Sequence, residues 1–138
     1  MEDDFSQCLV LNTRMAARAV TRRANRKLRG FGVTATQFSI LTAARQKPGR
    51  SITEIAESIA MERTTLSRNL DLMARKGLVR LEGAEKGNGR LCSLSGEGEV
   101  LLDRIVPIWR ASQAELREQL TQPDWPATLK ALQELARL

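Results

Sequence analysis

Between Ser51 and Ser95 the spacing of apolar residues changes from a helical period to a strand period, and that change leaves few folds open. Before Gly77 the apolar side chains recur three and four apart: Ile55 and Ile59, then Leu66, Leu70 and Met73. After it they alternate through "GLVRLE" and "RLCSLS", on either side of the loop "GAEKGNG". Three-to-four spacing lines one face of a helix, and a spacing of two lines one face of a strand. The order is therefore short helix, tight turn, helix, hairpin. This is the arrangement of a winged helix-turn-helix, in which the second helix enters the major groove of DNA and the hairpin reaches an adjacent groove.

Local signals agree. Ser51 and Glu54 stand in the S-x-x-E spacing of a capping box, which satisfies two orphan N–H groups at a helix start. The helix after it spans about residues 62–76, with Arg75 and Lys76 in its last turn and Gly77 as its terminating glycine. Strands are expected at 78–82 and 90–95. A first helix covers about 4–28 and ends at Gly30 and Gly32. A second covers 34–46, with Thr34 as a candidate cap and Phe38, Ile40, Leu41 and Ala44 inward. Ser95 can cap a long helix that starts near Gly96 and carries Pro107 inside it, and a closing helix covers about 125–136. The fold class is mainly α with a small β-hairpin. Residues 1–138 form one unit: a lobe at about 33–95, flanked by helices at about 4–29 and 96–137.

Charge narrows the function. The 138-residue chain carries a net charge of +6, with a pI near 10.1. From Phe5 to Thr53 there are ten Lys and Arg and no Asp or Glu. The balance is +8 through Gly96 and −2 from Glu97 onward. Such a distribution suits a polyanion. Histidine and tyrosine are absent, and no nucleophile–base pair, phosphate loop or metal-type spacing is visible. An enzyme, a metal site and a cofactor are not expected. No apolar run reaches membrane-spanning length, and the opening "MEDDF" lacks the apolar core of a signal peptide. A cytoplasmic protein with no membrane partner is expected, with Cys8 and Cys92 reduced.

The stretch "MERTTLSRNLDLMARKGLV" holds the candidate site. With Leu66, Leu70 and Met73 turned inward, Arg63, Thr64, Ser67, Arg68 and Asp71 point outward, and Thr65 and Asn69 flank them. Threonine and serine are mediocre helix formers, at a cost of a few tenths of a kcal/mol each, roughly. They are short enough to let a helix approach base edges, and their hydroxyls and the guanidinium of Arg68 can donate to guanine or phosphate oxygens. Arg63, Thr64, Thr65, Ser67 and Arg68 are the expected major-groove set. Arg75, Lys76, Lys86, Asn88 and Arg90 are expected at phosphates or the minor groove. The expected partner is double-stranded DNA.

Three segments resemble the MarR (multiple antibiotic resistance regulator) family: "GVTATQFSILTAA" (32–44), "SITEIAESIAMERTTLSRNLDLMARKGLVR" (51–80) and "LSGEGEVLL" (94–102). The resemblance implies a homodimeric transcription factor whose first and last helices intertwine. Its two lobes then bind successive major grooves of a pseudo-palindrome, about 34 Å apart. Leu101, Ile105, Ile108, Trp109, Leu129 and Leu132 agree with this, being more apolar surface than one small lobe can hide. The family often carries Asp-x-Arg in the wing, where the aspartate steadies the arginine. Here those positions read Lys86-Gly87-Asn88, and Arg90 is the nearest substitute.

The resemblance also implies repression relieved by a small ligand, often an aromatic carboxylate, held between the dimer helices and the lobe. Arg14, Arg18 or Arg22 would pair with the anion, and Phe31, Phe38 or Trp109 would line the site. Two alternatives stay open. One is a redox-responsive repressor: hydroperoxide-sensing members carry a reactive cysteine near what is Val10 here, and Cys8 lies two residues earlier. The other is a winged-helix module for protein or RNA.

Overall fold

The computed structural model describes residues 2–83 and 89–138. They form α1 (Leu9–Leu28), α2 (Ala35–Gln46), β1 (Arg50–Ser51), α3 (Ile52–Ser58), α4 (Arg63–Arg75), β2 (Val79–Gly83), β3 (Arg90–Leu94), α5 (Gly96–Gln119) and α6 (Trp125–Leu135). Most helices start where the sequence supplies a capping oxygen. Thr34 and Gln37 make a capping box on α2, and Ser51 and Glu54 make the expected one on α3. Ser95 and Asp124 accept from the first turns of α5 and α6. Gly32 and Gly77 close their helices in the left-handed region, at φ +72° and +78°.

The lobe core is one cluster. Ile40, Leu41 and Ala44 of α2, Ile55 of α3, Leu66, Leu70 and Met73 of α4, and Cys92 of β3 have no solvent exposure. Leu102 of α5 completes the same cluster, and Leu28, Val33 and Ile105 form a second one where α1 meets α5. No described helix is long and apolar enough to cross a membrane.

Two expectations need correction. The first helix does not start near residue 4. Asp4 accepts from the Ser6 N–H and hydroxyl, a 3-10 turn forms over Phe5–Gln7, and Cys8 is extended at ψ 123°, so α1 begins at Leu9. Short polar side chains that bond their own backbone compete with helix formation in this way. The hairpin, in turn, is part of a three-stranded antiparallel sheet of order β1–β3–β2. Arg50 pairs with Cys92 and Ser51 with Leu91, while β2 runs in register from Val79↔Leu94 to Gly83↔Arg90. A two-residue strand has no alternation to read.

The sheet meets α5 at a tight junction. The Ser95 N–H donates to the Leu78 carbonyl at 3.1 Å, and the Ser95 hydroxyl donates to the Gly77 carbonyl and accepts from the Gly98 N–H. Gly98 is buried there, and a Cβ on it would lie 2.1 Å from the Leu78 carbonyl oxygen. Backbone cannot yield as a side chain can. Gly98→Ala is therefore expected to lower stability by about 1–3 kcal/mol, while Gly96→Ala, with nothing within 4 Å, should leave the denaturation midpoint nearly unchanged. Urea titrations of both variants check this.

The two cysteines differ in the same physical sense. Cys8 is exposed and Cys92 is buried. Burial pushes the Cys92 thiol up to about 11, which keeps it protonated and unreactive. One thiol per native chain is expected to react with a disulfide reagent at pH 8, and two after denaturation. Equal reaction of both in the native protein would contradict the burial of Cys92.

Candidate nucleic-acid interface

α3 and α4 are joined by a turn that the sequence marks only weakly. Ala60 sits at φ +52°, uncommon for a residue with a side chain. The Met61 N–H donates to the Ala56 carbonyl at 2.9 Å, and half-buried Met61 packs on the lobe core. The turn sends α4 across the lobe with Leu66, Leu70 and Met73 fully covered. The opposite face is what remains: Arg63, Thr64, Thr65 and Arg68 are exposed, and Ser67 is half-exposed beside them. Glu62, the N-cap residue, makes no side-chain bond to the first turn, unlike the caps of α2, α3, α5 and α6. The first-turn N–H groups of α4 are thus left without a side-chain cap, at the end where Arg63 and Thr64 stand.

The remaining residues divide by place. Asn69 donates to the Thr65 carbonyl at 2.9 Å, which ties it along the helix. Arg90, at the start of β3, donates through Nη1 to the Asp71 carboxylate of α4 at 2.8 Å. Asp71 therefore does for Arg90 what a wing aspartate does in the Asp-x-Arg pattern, from the helix rather than from the loop. Arg75 is exposed at the far end of α4. Lys76 turns back, and its ammonium donates to the Gly32 carbonyl at 3.1 Å. Lys86 and Asn88 lie outside the described residues.

Sequence reasoning missed a cleft on this face. It has a volume of about 190 Å³ and is lined by Ser51, Thr53, Arg63, Ser67 and Arg90, among others. Ser51 was read only as a cap. Thr53 had no signal, because only the fold brings the start of α3 alongside α4 and β3.

The residues expected at an effector site do not converge. Arg14, Arg18 and Arg22 are exposed on α1, and none of them lines a cavity bounded by Phe31, Phe38 or Trp109. Phe38 and Trp109 bound a hollow of about 50 Å³ beside Lys27, and a second of about 340 Å³ beside Arg45. Arg45 is already held by Glu99 and Asp103, at 2.9 and 2.8 Å. Phe31 stands apart, in an open cleft of about 640 Å³ with Lys76, Leu101 and Arg104, and the Arg104 guanidinium lies 5.5 Å from its ring centroid. The arginines that do meet α5 are a register off from those expected. Arg23 pairs with Glu115, and Lys27 reaches the same carboxylate at 3.1 Å.

Comparison with known proteins agrees with this arrangement. A family model described as MarR family matches residues 31–91. The transcriptional regulator HosA of Escherichia coli O157:H7 is 30% identical over 90 residues, covering 64% of this chain and 67% of that protein. The M. tuberculosis transcriptional regulator MosR, solved in complex with DNA, is 36% identical and superposes over 95% of both chains with a TM-score of 0.86. A mutant E. coli MarR complexed with operator DNA shares the fold at a TM-score of 0.80, with 24% identity over 96% of this chain and 97% of that one. With the winged lobe, its outward-facing α4 and the long flanking helices in place, the chain belongs to the MarR family of transcriptional regulators.

Proposed function

We propose that the protein binds double-stranded DNA sequence-specifically as a homodimer and represses transcription from a pseudo-palindromic operator. The observation that carries this is the two-sided character of α4: one face has no solvent exposure, and the other presents Arg63, Thr64, Thr65, Ser67 and Arg68 to solvent. Arg75, Lys76, Lys86, Asn88 and Arg90 hold the backbone or the neighbouring groove. The lobe at about 33–95 carries these residues. The helices at about 4–29 and 96–137 join two copies. Support for the second part is the apolar surface that one copy leaves uncovered on α1, α5 and α6, where Leu9, Val10, Met15, Trp109 and Leu132 are each more than two-fifths exposed.

Fluorescence anisotropy with the inverted repeat beside the protein's own gene tests the reading. The wild type is expected to prefer that duplex and to lose affinity steeply with salt. Arg68→Ala should cost about 1–3 kcal/mol on the operator alone if the guanidinium reads guanine. Binding that is weak, or equal on all duplexes and indifferent to salt, would refute the reading.

Release by a small amphipathic anion belongs to the same proposal, with its seat moved by volume and charge. The Phe31 cleft has room for an aromatic carboxylate, whereas the 50 Å³ hollow does not. Its cations are Arg104 and Lys76. Benzoate, used as a probe in a thermal-shift titration, should stabilise the wild type and lose that effect in Arg104→Ala but not in Arg18→Ala. The reverse pattern would return the site to α1.

A further inference from the structure

The cleft between α3, α4 and β3 has walls that packing does not explain. Two guanidinium groups, Arg63 and Arg90, and the hydroxyl-bearing Thr53 and Ser67 face one space of about 190 Å³, with Gly89 leaving one side low. No carboxylate is among its described walls. The one acidic group at its edge, Asp71, is turned onto Arg90. A carboxylate on a helix that approaches DNA should be unfavourable, because it repels phosphates through little intervening protein. Its pairing reverses that expectation. A guanidinium has five N–H donors in a rigid fork. Asp71 takes one at Nη1 and leaves the others for a second oxygen ligand. An arginine already held in place also loses less side-chain freedom when it binds.

We propose that this cleft seats one backbone phosphate of DNA between Arg63 and Arg90, with hydroxyl donors from Thr53 and Ser67, and that Asp71 is the positioning residue presenting Arg90 to it. The proposal rests on the DNA-binding reading above and gives it a specific phosphate site. It turns on a sign. Removing a negative charge from a DNA-facing helix ordinarily tightens binding, whereas removing this one weakens it.

The test measures dissociation constants by anisotropy over a range of KCl, on the operator duplex and on an unrelated duplex of equal length. Asp71→Asn should weaken binding about three- to ten-fold on both duplexes and make the log–log salt slope shallower by about one unit, the signature of one lost phosphate contact. Arg90→Ala should do the same, and Asp71→Asn should add little in the Arg90→Ala background. Asp71→Glu, which keeps the carboxylate, should recover part of the loss. An unchanged thermal midpoint for Asp71→Asn, an exposed position, shows that folding is not the cause. Tighter binding by Asp71→Asn overturns the proposal, as does a loss confined to the operator, which would make Asp71 a base-reading residue. Failure of the wild type to bind any duplex removes the DNA reading first, and this site with it.

Discussion

The burial of Leu66, Leu70 and Met73 is the constraint on which the rest depends. Each residue of a helix is turned about 100° from the last, so seating these three against α2, α3 and the sheet leaves α4 one rotation about its axis. The face that carries Arg63, Thr64, Ser67 and Arg68 is then a consequence of packing and not a separate choice. The magnitudes support that order. A buried leucine or methionine contributes on the order of 2–5 kcal/mol when judged by truncation to alanine, while an exposed ion pair contributes about 0–1 kcal/mol. The core therefore decides where the outward residues point, and the pairs on the surface only refine how they are held.

Much of this was legible in the sequence, for a physical reason. Helix starts announce themselves through capping oxygens, and Ser51, Thr34 and Ser95 each proved to bond the first turn of the helix expected of them. The inward stripe of α4 reads directly from its spacing. What was not legible depends on contacts between elements distant in sequence. The pairing of Arg90 with Asp71 needs the register of β3 and the rotation of α4 at the same time. Strand β1 is too short to show a period. Thr53 joins the cleft only because the two-residue strand before it pins the start of α3 beside β3. The same limit explains the misplaced arginines. Arg14, Arg18 and Arg22 recur four apart as a visible stripe, yet the body of the chain lies on the other side of α1, where Arg23 and Lys27 meet α5.

Charge is sorted in the fold in a way that the net value of +6 does not reveal. The carboxylates of the acidic last third are spent along α5 on cations of the basic part that face it. Glu99 and Asp103 hold Arg45 of α2, and Glu115 holds Arg23 and Lys27 of α1. The hydrogen bond and charge of Lys27, and then Arg23, keep the Glu115 carboxyl below its ordinary value, so this link stays charged as the pH falls toward the usual carboxylate range. Helix α5 thus ties the lobe to α1 through ionic contacts over apolar ones, Leu102 in the lobe core and Ile105 against Leu28.

That sorting bears on how the two ends of the molecule can influence each other. The long helix α5 begins at the Ser95–Gly98 junction, which is bonded to the end of α4 through Gly77 and Leu78. It continues past Arg45 and ends beside α1. Gly98 lies so close to the Leu78 carbonyl that α5 cannot slide there without moving the strand that leads to the wing. A ligand seated between Phe31 and Arg104 would touch α5 and the C-terminal end of α4 together, through Val100, Arg104 and Lys76. It could change the angle between them only by favouring one arrangement of this junction over another. The close packing at Gly98 is what would carry such a difference from the helices that join two copies to the outward face of α4.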